Sequence, residues 1–366
     1  MTLAALTEAE RFCWHRLAQS ENVGPATFQQ LLSRFGSASV ALEAIPELSQ
    51  RGGLRRPLRL YDEQRAVEDF AAAQKLGARF VALCEPDYPE LLRQSPSPPP
   101  LICMIGDAGL LHRPALAVVG ARNASAAGLR FTRMIAGELA AAGLIIVSGL
   151  ARGIDTAAHE AALAHGTVAV VAGGVDHFYP PENEALQRAI AAKGVLLSEM
   201  PPGRVPKAEH FPRRNRIIAA LCAGTAVVEA AMRSGSLSTA RFANEAGREV
   251  FAVPGSPLDP RCEGTNGLIK DGAHMLTRAM DVLDVLRPGE KQLHFVLEEE
   301  VQAASFDAPD DVRARVLSLL SRTPVDLDDL LREAKGQPAQ VMGVLLELEL
   351  AGTARRHPGG KFSQNG

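Results

Sequence analysis

ALAVVGARNASAAGLRFTRMIAGELAAAGLIIVSGL, residues 115–150, decides the reading of the fold. A run of small and β-branched apolar residues, Ala115 to Val119, ends at Gly120. An alanine-rich stretch of helical character follows from Ser125, and a second apolar run, Leu144 to Val147, follows that. Unbroken apolar runs of strand length belong to strands covered on both faces. Strand, helix and strand in so short a span make a parallel crossover unit.

The same alternation continues down the chain. TVAVVAGG (167–174) precedes ENEALQRAIAAKG, and VLLSEM (195–200) leads through HFPRRN into RIIAALCAG. TAVVEAA (225–231) precedes SLSTARFANEAG, and EVFAVPG (249–255) closes the series. Apolar strands alternating with helices predict an α/β domain, a doubly wound Rossmann-like parallel sheet. Its expected span is residues 79–290, and a Pro-rich stretch, QSPSPPPL (94–101), is read as the joint between the helical part and the alternating series.

The flanks differ in character. Residues 1–78 read as short helices with polar joints, a small helical domain. Gly24-Pro25 precedes one of them, with proline where its missing N–H costs little. That turn resembles the hairpin of helix-hairpin-helix modules, and a plain helical turn accounts for it as well. Residues 291–309 read as a polar linker. Residues 310–366 hold three helical periodicities and a short hairpin at Gly359-Gly360, which suggests a winged helix. The segment placed as its recognition helix, QPAQVMGVLLELELAG, contains no Lys or Arg, which argues against DNA reading by that helix.

Composition bounds the function. Hydrophobic residues make up 46% and charged residues 22% of the 366, ordinary values for a globular chain. A formal net charge of −3 excludes a non-specific nucleic-acid coat but allows a local basic groove. The five cysteines are scattered, with no CxxC, as expected of reduced thiols. Glu8, Glu10 and Arg11 stand where a signal peptide would need an apolar run, and no apolar stretch is long enough for a membrane span. The expectation is a cytoplasmic protein without membrane contact.

Ligands of such sheets meet the carboxyl ends of the strands, so the loops there carry the chemistry. In VVGARNASAAG, Arg122 projects from the turn and Ser125 is placed to cap the next helix. In VSGLARGIDTAAH, Ser148 and Gly149 end a strand and Asp155 is placed as a cap; His159 reads as a packed histidine with no nucleophile beside it. Ser234-Gly235-Ser236 opens a helix with hydroxyls and amides suited to phosphate. The fourth loop holds Arg204, Lys207, Phe211, Arg213, Arg214, Asn215 and Arg216. Arginine forks suit phosphate, and an aromatic supplies a stacking platform for single strands. The rival reading pairs some of these arginines with acids such as Glu229 or Asp155. No catalytic set, Walker motif or metal constellation emerges, so neither cofactor nor catalytic residue is assigned.

VGARNASAAG, SGLARGIDTAAH, HFPRRNRIIAAL, SGSLSTARFANEAGREVFAVPG and GTNGLIKDGAH, in this order over about residues 118–275, closely resemble the DprA/Smf family of DNA-processing proteins. Ser238 departs from the pattern, at a position usually apolar in the family. The resemblance implies a SAM-like N-domain, a winged-helix C-domain and a homodimer formed through the Rossmann-like domain. It implies a non-enzymatic mediator that binds single-stranded DNA and loads the RecA recombinase onto incoming strands in natural transformation, with single-strand-binding protein as a further partner. Carried over by position, the DNA pocket comprises Arg122, Ser148, Gly149, Lys207, Phe211, Arg214 and Arg216, with Asn215 holding the loop. The sequence reading adds Ser125, Arg213, Ser234, Gly235 and Ser236. Arg214 and Arg122 are expected to face DNA and Arg216 to brace. The competing class is a nucleotide-processing enzyme of the lysine-decarboxylase-like phosphoribohydrolase type, for which Glu229 is the only candidate acid beside a ribose.

Overall fold

The computed structural model describes residues 5–51, 58–287, 308–350, 353–357 and 360–364. The chain divides into two compact units, 1–286 and 287–366. The linker expected at 291–309 and the domain end at 290 lie largely outside the described residues, as does Gly359 of the expected hairpin turn.

The first unit opens with α1 (Glu8–Gln19), α2 (Pro25–Phe35), α3 (Ala38–Arg51) and α4 (Glu63–Lys75). Thr7 and Asp62 cap α1 and α4 through side-chain oxygens, whereas Gly24 starts α2 with Pro25 in its first turn and no side-chain cap. The sheet region then runs β1 (Arg79–Ala82), α5 (Glu90–Arg93), β2 (Leu101–Gly106), β3 (Ala115–Gly120), α6 (Ala126–Ala141), β4 (Ile145–Ser148), α7 (Ile154–Ala162) and β5 (Thr167–Val170). It continues with α8 (Glu184–Lys193), β6 (Val195–Ser198), α9 (His210–Ala220), β7 (Gly224–Val228), α10 (Gly235–Glu245), β8 (Glu249–Ala252), α11 (Glu263–Lys270), β9 (His274–Met275) and α12 (Ala279–Leu286).

The nine strands lie in the order β1-β2-β6-β5-β4-β3-β7-β8-β9. From β6 to β9 all pairs are parallel, while β1 pairs β2 and β2 pairs β6 antiparallel. The sheet is therefore mostly parallel, as the doubly wound Rossmann-like reading expects, with an antiparallel pair added at one edge. The Pro-rich segment proves not to be a domain joint: it links α5 to β2 inside the sheet region. Proline cannot extend a ladder, so it interrupts an edge hairpin that the sequence pattern left unseen.

Strand β3 shows why both faces must be covered. Leu116 and Val118 pack with Ile135 and Leu139 of α6 on one face; Ala117 and Val119 join Ile217 and Ile218 of α9 in the cluster on the other. That second cluster is continuous with Trp14, Leu17 and Phe28 of the helical domain, so these helices share the sheet's core. β4 lies on one side of β3, and the crossover through α9 delivers β7 to the other. The order reverses at β3/β7, the position where a doubly wound sheet opens a crevice.

In the second unit α13 (Asp310–Leu319), α14 (Leu327–Glu333) and α15 (Pro338–Leu350) pack on the antiparallel sheet β10-β12-β11, from Val325–Asp326, Lys361–Gln364 and Ala354–His357. Val316, Leu330, Val341, Leu345 and Phe362 form its core. This is a winged helix, and α15 carries no basic residue.

Candidate functional site

The loops after β3, β4, β5 and β7 meet the start of α9 at the carboxyl edge of the sheet. Two adjoining cavities open there, of about 470 and 550 Å³. Arg122, Asn123, Ala151, Phe211 and Arg214 line both. The first extends towards His177, Tyr179 and Pro206; the second towards Arg233 and the Ser234-Gly235-Ser236 turn.

Arg214 forms the floor, lining both cavities from below. It is only 7% exposed, and Nη1 donates to the Val170 carbonyl at 3.2 Å. Its Nε is buried without a hydrogen-bond partner among the described residues. A Cβ at Gly149 would lie 1.3 Å from Nη1, so only glycine admits the guanidinium. Burial lowers the Arg214 pKa to about 10; Asp155 opposes this fall and Arg122 adds to it. The residue is still a cation at neutral pH. Asp155 is itself pushed above the usual carboxylate range by burial, offset by Arg214 and by the amides of Ala151 and Gly149. Asp155 accepts from those two amides at 3.3 and 3.1 Å and does not cap α7, whose N-cap is Gly153.

Above this floor lies an exposed rim of cationic and aromatic side chains. Arg122 is exposed and sits with its guanidinium carbon 5.6 Å from the Phe211 ring centroid. Phe211 in turn lies 5.4 Å from the half-exposed Tyr179 ring. Cation, phenyl and phenol thus form one strip that offers both a charge and π-faces. Lys207 is exposed and makes no ion pair among the described residues.

Arg213 and Arg216 go elsewhere. Both reach Glu199, at 3.8 and 2.6 Å, and Arg216 also donates to the Ser97 carbonyl at 2.5 Å. Arg216 therefore ties α9 to the loop after β6 and to the Pro-rich segment. The acid is Glu199, not Glu229 or Asp155 as the sequence reading offered. Asn215 donates to the Gly235 carbonyl and to Ser238 Oγ, which joins α9 to α10. The polar partner gives Ser238 its place where an apolar residue was the norm.

Two serines assigned to the site make hydrogen bonds within the protein, and Ser125 takes the helix-cap position expected of it. Ser148 is fully buried and its hydroxyl donates to the Val118 carbonyl at 2.6 Å. Ser125 caps α6 by accepting from Gly128 N–H, while its own N–H and hydroxyl both go to Glu229. Both Glu229 oxygens are thereby engaged, with the residue 7% exposed. Ser234 caps α10 and bonds the Ser236 hydroxyl at 2.5 Å; Gly235 between them is exposed. Sequence reasoning passed over Tyr179 and Arg233. The aromatic pair in DHFYPP was a signal for the first; nothing marked the second.

Family models match all three parts: residues 8–72 a DprA-like N-terminal HHH domain, 79–287 the DNA recombination-mediator protein A, and 300–360 a DprA winged-helix domain. The chain is 32% identical to Protein Smf of Synechocystis, over 98% of this chain and all of that one. It superposes on the crystal structure of DNA processing protein A from Streptococcus pneumoniae with a TM-score of 0.63 and 36% identity, over 76% of this chain and 98% of that one. A second structure is that of Helicobacter pylori DNA processing protein A, studied for its single-stranded DNA binding mode. It matches with a TM-score of 0.52 and 30% identity, over 57% of this chain and 95% of that one.

Proposed function

The chain belongs to the DprA/Smf family of DNA recombination mediators, and from that premise we propose that it binds single-stranded DNA in the sheet-end cleft and loads RecA onto the strand during natural transformation. The observation that carries this reading is the buried Arg214 cation beneath two adjoining cavities, rimmed by Arg122 and Phe211. A fixed positive floor attracts a phosphodiester path, and aromatic faces accept any base without reading its sequence. Arg122, Lys207 and Phe211 are the contacts; Gly149 and Arg214 shape and charge the floor. Gly235 offers backbone at the second cavity, beside the Ser234–Ser236 cap. Arg213, Asn215 and Arg216 hold α9 in place, and Arg213 keeps enough exposure to reach a passing phosphate.

The role is one of binding. The nucleotide-hydrolysing alternative needs Glu229 free beside a ribose, and that carboxylate is engaged by Ser125. The decisive assay follows ATP hydrolysis by RecA on DNA coated with single-strand-binding protein. Adding this protein should shorten the lag, and Arg122→Ala should remove the effect. An unshortened lag with the wild-type protein would contradict the loading role.

A further inference from the structure

The helical domain reaches the segment beside this cleft through one partly buried polar chain. Arg204, in the loop between β6 and α9, donates from Nη2 to the Tyr61 hydroxyl at 2.6 Å and lies over the Tyr61 ring at 5.5 Å. The Tyr61 hydroxyl donates to Asp69 Oδ2 at 2.8 Å, and His15 Nε2 meets the same oxygen at 2.7 Å. A carboxylate only accepts, so phenol and imidazole both give it a proton to share. Burial, with Asp69 beside it, raises the Tyr61 pKa to about 12, which keeps the phenol a donor. Tyr61 is fixed in turn by its own N–H to Ser20 Oγ at 3.0 Å and by Arg16 on its carbonyl.

The other end of this chain is the segment that carries Lys207. The Arg204 carbonyl accepts from Gly174 N–H at 2.8 Å, and Gly203 N–H donates to Asp176. A Cβ at Gly173 would lie 2.6 Å from the Arg204 carbonyl and 2.8 Å from Pro206, so the segment lies flush on the loop after β5. Three residues after Arg204, Lys207 exchanges hydrogen bonds with His210 in the first turn of α9. With Arg204 clamped at one side, α9 at the other and Pro206 between, the Lys207 backbone has little freedom left.

We propose that Tyr61 is a positioning residue of the strand-binding site: through Arg204 it holds the 203–207 segment so that Lys207 meets the DNA backbone, which makes the helical domain part of the site. This rests on the single-strand reading of the cleft. Contact with an ordered segment avoids the cost of ordering it on binding, so loss of the clamp should weaken affinity about fivefold. The test measures binding of a fluorescent oligothymidine to the full chain by anisotropy across a salt series, with thermal melts alongside. Tyr61→Phe keeps the ring and removes both hydrogen bonds; Arg204→Met is the second variant, in case one alters folding. Both should weaken binding and reduce the salt slope by about 0.7, the loss of one phosphate contact. In a Lys207→Ala background neither should weaken it further. Full affinity and slope in both variants, or effects that add to Lys207→Ala, would overturn the proposal. If Lys207→Ala itself binds normally, the reading of this segment as a DNA contact fails first, and the proposal with it.

Discussion

At the scale of single residues the site is governed by which arginine is buried. Arg213 and Arg216 stand three apart on α9 and share a face, so both find Glu199. Arg214 is turned from Arg213 by about 100° and points into the sheet end. That helical spacing was legible in HFPRRNR, and it separates the floor from the brace; read only as a basic cluster, the stretch hides it. Gly149 is the complement of this burial. Gly149→Ala would place a methyl on the Arg214 guanidinium, an overpacking that should cost about 1–3 kcal/mol. A lowered melting temperature together with weakened single-strand binding is expected. Unchanged melting and binding would mean that Arg214 does not need this position. Ser148 teaches the opposite lesson: a serine at a strand end can face a ligand or a neighbouring carbonyl, and the register that decides is absent from the sequence.

At the scale of elements, α7 is bonded to the sheet through a buried histidine. Thr167 donates its hydroxyl to the Ile146 carbonyl at 2.6 Å and so must accept from His159 Nδ1–H at 2.9 Å. Burial, and then the charge of Arg214, lowers the His159 pKa to about 3. The folded state therefore holds this ring neutral while the unfolded chain protonates it below about 6.5. Its contribution is present in full above that value and is lost as pH falls towards 3, about 2 kcal/mol of it between pH 6.5 and 5. Thermal melts over this range should show the loss in the wild type, and His159→Gln should flatten it. An equal pH dependence in the variant would remove His159 as the cause. The six parallel strands β3 to β8 were readable because they are short apolar runs in regular alternation with helical stretches. The edge pair β1 and β2 was not, since only the four-residue α5 and a proline run lie between them and break the strand–helix alternation, and β9 has only two residues.

At the scale of the molecule, the cleft belongs wholly to the first unit, with helical domain and sheet sharing one hydrophobic cluster. The winged helix was legible as three periodic helices, and with no basic residue on α15 it is expected to add little to strand binding. A homodimer is expected, and light scattering that reports a monomer at micromolar concentration would count against it. The central claim is that the sheet-end cleft holds the single strand. Its most direct test is the salt-dependent affinity for a single-stranded oligonucleotide of the intact chain, of a chain ending at Leu286, and of the Arg122→Ala/Lys207→Ala double variant. The shortened chain should keep most of its affinity, while the double variant should bind at least about tenfold more weakly with a salt slope smaller by about 1.4. A double variant with unchanged affinity and slope, or a shortened chain that no longer binds, would contradict the account.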